Sequence, residues 1–319
     1  MTQSPPAELG LGWPPPPFLA PPPALVSPEG VRRFDGVTYA TSPGYRPRLL
    51  DVQVPASTEP VPAVIWIHGG GWLEGDRRYP PPTIPVGLLH GSVLRAGLAL
   101  VSVDYRHSLE APFPAQLHDV KAAIRYVRRF ADTLGIEGDR IGVWGESAGG
   151  HLAALTGLVG TDDRRHTDLE GCEGSTEESS SVRAVVDWYG VSDLISLLSH
   201  TLPAAPGLDY PNPFTALLGG TTGEELVTRA AIASPVTHVT AGSPPPPFLL
   251  IHGTKDDLVP YGQSEVLAAA LEQIEADVTL QPVPEADHIF LGVQDVAPIV
   301  TQSVDFLARH LKAPETAAR

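Results

Sequence analysis

The sequence predicts an α/β fold in which helices flank a mostly parallel central sheet of about eight strands. Short apolar segments bounded by glycine and proline recur along the chain, as is typical of buried parallel strands. Segments with the apolar spacing of helices alternate with them, which favours a doubly wound sheet with right-handed crossovers. At 319 residues, the chain is long enough to bury one large core.

The predicted elements follow one another from residue 34 onward. Eight strands are predicted, at residues 36–40, 48–54, 63–68, 98–105, 140–145, 183–189, 247–253 and 277–283. Four helices are predicted, at residues 114–134, 147–159, 263–274 and 296–311. The first helix shows its pattern most clearly, because the apolar residues Leu117, Val120 and Ile124 recur at spacings of three and four and so lie on one helical face.

Three segments depart from this alternation. Ten of the first thirty residues are proline, which excludes a helix or a central strand there. We therefore divide the chain into a proline-rich arm, residues 1–33, and an α/β domain, residues 34–319. Within the domain, residues 161–181 are polar and acidic and are predicted to form a mobile surface loop. Residues 192–236 show no obvious strand and are predicted to form a cap inserted over the sheet.

Composition narrows the classes of function. The formal net charge of −16 argues against a nucleic-acid-binding protein, which needs a basic surface. Cys172 is the single cysteine, so no intrachain disulfide can form. Residues 1–10 lack the features of a signal peptide, and no apolar stretch is long enough to span a membrane. We therefore expect a cytoplasmic protein, monomeric or homo-oligomeric, that binds neither nucleic acid nor membrane.

The motif G-x-S-x-G occupies residues 145–149, where a predicted strand passes into a predicted helix. That placement is typical of a nucleophile elbow, a tight turn that presents a serine hydroxyl at the carboxyl edge of a sheet. The start of the helix carries partial positive charge, which favours a developing alkoxide. We therefore predict that Ser147 is a catalytic nucleophile; the structural alternative is a serine that only caps the helix.

The residues HGGGW, at positions 68–72, directly follow a predicted strand. Three consecutive glycines are costly in backbone entropy, which suggests unusual dihedral angles or close approach of a ligand. Beside Ser147, the N–H groups of Gly70 and Gly71, together with that of Ala148, are predicted to bind the oxyanion of a tetrahedral intermediate. An ordinary flexible glycine loop is the alternative.

A serine nucleophile needs a histidine base and a carboxylate that orients the base. His288 lies in a short loop after the last predicted strand, where it can reach the elbow, and we predict that it is the base. Asp256 and Asp257 both follow the strand at residues 247–253, and position alone leaves the choice between them open.

Four residues near the ends of predicted strands are expected to line the substrate pocket together with the cap: Trp72, Glu146, Trp188 and Tyr189. Large aromatic residues at strand ends are as often part of the core. The sequence contains no metal-ligand spacing such as H-E-x-x-H. We therefore expect a site that uses neither a metal ion nor a cofactor.

Five motifs, HGGGW, DYRHSLEAPFPAQLHD, GESAGGHLA, HGTKDDLVP and DHIF, occur in this order between residues 61 and 311. Together they resemble the hormone-sensitive-lipase-like esterases of the α/β-hydrolase superfamily and their carbohydrate-esterase relatives, the feruloyl and acetylxylan esterases. The resemblance implies the α/β-hydrolase fold, Asp256 as the triad acid, and Gly70, Gly71 and Ala148 as oxyanion donors. This chain has GESAGG where the lipase-like members have GDSAGG, and DYRHSLEAPFP where they have DYRLAPE. Both variants resemble the carbohydrate-esterase branch.

The function implied by this resemblance is hydrolysis of a small-molecule carboxylic ester, with a short acyl, carbohydrate or aryl group, through an acyl-enzyme on Ser147. The same triad also cleaves amides. An amidase or formamidase of the kynurenine formamidase type, which shares the HGGGW layout, is therefore one alternative. A hydrolase-fold binding protein without catalysis is another, since fold does not fix function.

Overall fold

Nine strands form one sheet in the computed structural model, which describes residues 16–85, 87–160, 167–200, 211–241 and 244–312. The strands are β1 (Leu25–Val26), β2 (Arg32–Ala40), β3 (Arg48–Val54), β4 (Val61–Ile67), β5 (Ala99–Val103), β6 (Ile136–Glu146), β7 (Val185–Trp188), β8 (Phe248–Gly253) and β9 (Val278–Val283). Their spatial order is β1-β2-β3-β5-β4-β6-β7-β8-β9. The pairs of β1 with β2, β2 with β3, and β3 with β5 are antiparallel, and all the others are parallel. The predicted mostly parallel sheet is confirmed.

Helices cover both faces of this sheet. They are α1 (Leu88–Arg95), α2 (Ala115–Arg129), α3 (Ala131–Leu134), α4 (Ala148–Leu158), α5 (Thr167–Glu170), α6 (Leu194–Leu197), α7 (Pro213–Leu217), α8 (Gly223–Ala233), α9 (Gly262–Gln273) and α10 (Ala297–Leu311). Successive side chains of a strand point to opposite faces. Ile65 of β4 therefore belongs to the core cluster that includes residues of α2, α4 and α9, whereas Val64 belongs to the cluster that includes residues of α1 and α10.

The described part of the proline-rich arm lies against the domain. Leu25 pairs with Arg33 in β2, and the ring of Phe18 lies 6.1 Å from that of Tyr126 in an edge-to-face contact. The Tyr126 hydroxyl donates a hydrogen bond of 2.7 Å to the carbonyl of Leu19. The boundary drawn between residues 33 and 34 therefore falls inside β2. Residues 1–15 lie outside the described ranges.

The described part of the acidic segment at residues 161–181, from residue 167 on, forms ion pairs with basic residues of α2. The carboxylate of Glu170 lies 2.8 Å from Lys121 Nζ and 2.6 Å from Arg125 Nη1. Glu173 lies 2.9 Å from the guanidinium of Arg106. These acids therefore neutralise basic groups that the fold buries. The mobile surface loop expected from the composition stays a prediction.

The segment predicted to be a cap, residues 192–236, contains α6, α7 and α8 and no strand among its described residues. Residues 201–210 lie outside the described ranges. The helix α7 lies against the loop that follows β4, where the ring of Phe214 is 6.2 Å from that of Trp72. None of the helices in the described ranges has both the length and the apolar composition that a membrane-spanning segment requires.

Candidate active site

The loops after four strands meet at the carboxyl edge of the sheet. His68 follows β4, Ser147 follows β6, Asp256 follows β8 and His288 follows β9. Parallel strands place their carboxyl ends at the same edge, which is where open α/β sheets bind ligands. The sheet therefore brings together side chains that are far apart in the sequence.

Ser147 lies in a strained turn between β6 and α4. Its φ is 54° and its ψ is −119°, a backbone conformation that residues other than glycine rarely adopt. A Cβ on Gly145 would lie 2.0 Å from the carbonyl oxygen of Gly149, and one on Gly149 would lie 2.1 Å from that of Ile67. The two glycines of the motif are therefore required by close backbone contacts, as expected for an elbow.

A hydrogen-bond chain runs from Ser147 through His288 to Asp256. His288 Nε2 lies 3.0 Å from Ser147 Oγ, and Nδ1 lies 2.7 Å from Asp256 Oδ2. Because a carboxylate only accepts hydrogen bonds, Nδ1–H donates to Asp256 and the Nε2 lone pair accepts from the serine hydroxyl. The geometry is that of a nucleophile, a base and an orienting acid.

The structure distinguishes the two candidate acids. Asp256 is 6% exposed, and its Oδ1 accepts hydrogen bonds from the N–H groups of Leu258 and Val259 at 3.0 and 2.8 Å. Burial favours the neutral acid, but hydrogen bonds from His252 and His288 outweigh it and lower the pKa of Asp256 to about 2. The side chain of Asp257 is exposed. Of the two acids, Asp256 is the one whose carboxylate contacts the imidazole of His288.

Two further side chains contact Asp256 or the loop of His288, and the sequence analysis predicted no function for either of them. His252 Nε2 lies 3.2 Å from Asp256 Oδ2 and 2.8 Å from the carbonyl of Val259, so a second histidine holds the acid. Asp287 Oδ1 accepts from the backbone N–H groups of His288 and Asp257 at 2.7 and 3.2 Å, which joins the loops of the base and the acid. The sequence does contain a signal for Asp287, because an aspartate in a turn often accepts hydrogen bonds from the backbone N–H groups of the residues that follow it.

The glycine loop has the conformation that its composition suggested. Gly70 and Gly71 have φ values of 100° and 60°, and a Cβ on Gly70 would lie 2.3 Å from the carbonyl oxygen of Glu74. Among the described residues, the N–H groups of Gly70, Gly71 and Ala148 donate to no protein acceptor. Gly70 and Gly71 line the same cavity as Ser147.

His68 supports this loop from within. Its ring stacks on Tyr105 at 4.4 Å, and Nδ1 lies 2.8 Å from the carbonyl of Gly69. Burial lowers the pKa of His68 to about 4, so the ring is neutral near pH 7. Tyr105 donates from its hydroxyl to the carbonyl of His68 at 3.0 Å.

A cavity of about 830 Å³ opens above Ser147 and His288. Its walls include the glycine loop, Tyr79 with the prolines at 80–82, and Pro213 at the start of α7. Among the described residues that line it there are three carboxylates, those of Glu74, Asp76 and Glu146, and no lysine or arginine.

Of the four residues expected in the pocket, only Glu146 lines this cavity. Trp188 lies in the core, where its indole N–H donates to Ser303 Oγ at 2.9 Å. The indole N–H of Trp72 donates to Nδ1 of buried His151 at 3.2 Å. Tyr189 is fully buried, and its ring packs edge-to-face on His288 at 4.9 Å. Tyr189 therefore packs on His288 and does not line the cavity.

No group of three or more histidine, cysteine, aspartate or glutamate side chains in the described ranges is arranged to hold a metal ion. The acids and histidines of the site bond instead to each other and to backbone groups, as described above for Asp256, His252 and His288. No residue of the site is therefore assigned as a metal ligand.

Comparisons with known proteins agree with this architecture. The sequence profile of the BD-FAE family matches residues 50–271. Esterase LipQ of Mycobacterium tuberculosis is 32% identical over 262 residues, which are 78% of this chain and 55% of LipQ. The probable carboxylic ester hydrolase LipM of the same organism is 31% identical and is covered to the same extent, 55%. The chain thus spans about half the length of these curated relatives.

Two solved structures are also similar. A truncated carbohydrate esterase from gut microbiota superposes with a TM-score of 0.72 at 30% identity, covering 87% of this chain and 95% of that one. Esterase Est2 of Thermogutta terrifontis superposes with a TM-score of 0.64 at 25% identity, covering 88% and 94%. Because the family profile spans most of the chain, the chain belongs to the BD-FAE family and has the α/β-hydrolase fold.

Proposed function

We propose that this protein is a serine hydrolase that cleaves small carboxylic esters through an acyl-enzyme on Ser147. The observation that carries the proposal is the hydrogen-bond chain from Ser147 through His288 to Asp256. Ser147 and His288 line a cavity together with Gly70 and Gly71, whose backbone N–H groups donate to no acceptor among the described residues. The names of LipQ and LipM, an esterase and a probable carboxylic ester hydrolase, support ester hydrolysis.

Acylation begins when Ser147 Oγ attacks the acyl carbon while its proton passes to His288 Nε2. The carboxylate of Asp256 accepts the Nδ1–H bond and stabilises the imidazolium. The N–H groups of Gly70, Gly71 and Ala148 donate to the oxygen that gains negative charge. The tetrahedral intermediate then collapses, His288 gives its proton to the leaving alkoxide, and the alcohol departs.

Deacylation repeats these steps with water. His288 Nε2 takes a proton from the water as the water oxygen attacks the acyl carbon, and the same backbone donors hold the oxyanion. Collapse breaks the bond to Ser147 Oγ, which regains its proton from His288, and the free acid leaves. The low pKa of Asp256 keeps it ionised throughout at neutral pH.

A small substrate fits the dimensions of the site. A cavity of about 830 Å³ falls in the size range of pockets for small molecules. Structures of Est2 from Thermogutta terrifontis carry bound propionate and butyrate, which supports short acyl groups. We further propose that the enzyme acts in the cytoplasm, because it has a single cysteine and cannot rely on disulfides.

The first test compares the wild-type protein with Ser147→Ala on p-nitrophenyl acetate and on the matched amide, p-nitroacetanilide. We expect rapid cleavage of the ester by the wild type and a loss of about 10⁴-fold or more in the variant. Faster cleavage of the amide would favour the amidase alternative. Saturable ester binding without turnover in the wild type would favour the binding protein.

A further inference from the structure

Glu146 is a buried acid next to the nucleophile. It is the last residue of β6 and is 7% exposed. Its Oε1 accepts a hydrogen bond of 2.7 Å from the backbone N–H of Gly69, the first of the three consecutive glycines. A Cβ on Gly69 would lie 2.5 to 2.7 Å from three atoms of the carboxylate. The carboxylate therefore rests directly against the peptide that begins the glycine loop.

The same stretch of backbone is fixed from a second side. The hydroxyl of Tyr105 lies 3.0 Å from the carbonyl of His68 and 3.3 Å from that of Gly69. Two carbonyls thus accept from a tyrosine while the N–H of Gly69 donates to Glu146. Because three glycines have little conformational preference of their own, these side-chain bonds supply the order that the loop sequence lacks.

We propose that Glu146 is a positioning residue that fixes the Gly69 peptide, so that the N–H groups of Gly70 and Gly71 stay directed at the oxyanion. This inference rests on the proposed esterase function. Without the carboxylate, the buried N–H of Gly69 has no partner, which costs free energy until the loop rearranges. Oxyanion donors are effective only when they are held in place before the reaction, so a rearranged loop stabilises the transition state less.

The hydrogen bond of Glu146 can be tested separately from its charge. Burial raises the pKa of Glu146, while the bond from Gly69 and a positive charge on His288 lower it. A neutral glutamine at this position should keep the hydrogen bond but lose the charge.

The experiment uses Glu146→Ala and Glu146→Gln in the full chain, with Glu137→Ala as the control on the same strand. Glu137 pairs with Arg140, away from the cavity. We expect Glu146→Ala to lower kcat by about 10-fold or more with little change in KM, and Glu146→Gln to restore most of it.

A trifluoromethyl ketone inhibitor separates positioning from simple loss of folding. Ser147 Oγ adds to its carbonyl carbon, the serine proton passes to His288, and the carbonyl oxygen becomes an oxyanion. Its affinity for Glu146→Ala should fall by the same factor as kcat/KM. Activity of the wild type over Ser147→Ala reports separately on the proposed function.

Three results would overturn the role of Glu146. One is a Glu146→Ala variant with wild-type kcat and inhibitor affinity. Another is a Glu146→Gln variant as impaired as Glu146→Ala, which would mean that the hydrogen bond to Gly69 is not what matters. The last is a loss confined to KM, which would make Glu146 a substrate contact.

Discussion

Nδ1 of His288 lies 2.7 Å from Oδ2 of Asp256, although the two residues are 32 positions apart in the sequence. The contact links the loops after β8 and β9. It depends on one aspartate of an adjacent pair, since Asp257 turns its side chain to solvent. This asymmetry gives the sharpest mutational comparison in the site.

Asp256→Asn and Asp257→Asn form a matched pair. In Asp256→Asn, the new amide cannot hold the Nδ1–H tautomer of His288 as a carboxylate does, so we expect kcat to fall by about 10³–10⁴-fold. Asp257→Asn should stay within about twofold of the wild type, because an exposed side chain contributes little. Steady-state kinetics on one short ester decides the matter. A larger loss in Asp257→Asn would mean that the acid is misassigned.

Asp287 is expected to matter through its contact with the backbone. Removal of its carboxylate in Asp287→Ala leaves the N–H groups of His288 and Asp257 without their acceptor. We expect a fall in kcat of about 10-fold and a loss of roughly 1 kcal/mol in the free energy of unfolding, as for a lost cap. Asp287→Asn keeps an acceptor oxygen and should recover most of both. Equal loss in the two variants would contradict this role.

Asp187 should make the protein less stable at higher pH. Its Oδ1 accepts from the N–H of Gly190 at 2.9 Å, but its buried Oδ2 has no partner among the described residues. Burial raises the pKa of Asp187 to about 7, above the value of about 3.9 in an unfolded chain. Its stabilising effect is complete below the unfolded pKa and is lost as the pH rises through about 7.

Asp187→Asn should remove this dependence. We expect the variant to gain stability relative to the wild type, by a few kcal/mol, between about pH 4 and about pH 8. Urea unfolding of both proteins at several pH values measures the difference. Asp305→Asn, on an exposed part of α10, is the control and should show no such trend. A constant difference for Asp187→Asn would contradict the assigned protonation change.

The carboxylates in the cavity wall predict discrimination by substrate charge. Glu74, Asp76 and Glu146 line the cavity, and its described residues include no lysine or arginine. We therefore expect kcat/KM to be lower for a hemisuccinate ester than for the butyrate ester of the same alcohol. The deficit should shrink as salt screens the repulsion. Equal rates for the two esters at low ionic strength would contradict the prediction.

Much of the site could be predicted because its residues have local requirements. Ser147 is recognisable from the glycines at 145 and 149, which the turn needs for close backbone contact. Gly70 and Gly71 are recognisable because three consecutive glycines are costly in backbone entropy and indicate unusual dihedral angles. In both cases the backbone conformation requires glycine, and this requirement is visible in the sequence.

The pocket could not be predicted in the same way. The side chains of a parallel strand are buried on both faces, so the sequence does not reveal which face Trp188 occupies; it packs toward α10 through Ser303. Tyr189 has a φ of 42°, and no feature of the surrounding sequence predicts this conformation. The strand β1 was missed because it is two residues long and lies in a proline-rich segment.

The most direct test of the central claim is to trap the acyl-enzyme. The wild-type protein is mixed with excess phenyl acetate, quenched in acid within the first turnovers, digested and mapped by mass spectrometry. We predict an acetyl group on Ser147, with none there and almost no turnover in Ser147→Ala. Turnover that proceeds without an acyl group on Ser147, or that survives in Ser147→Ala, would contradict the account.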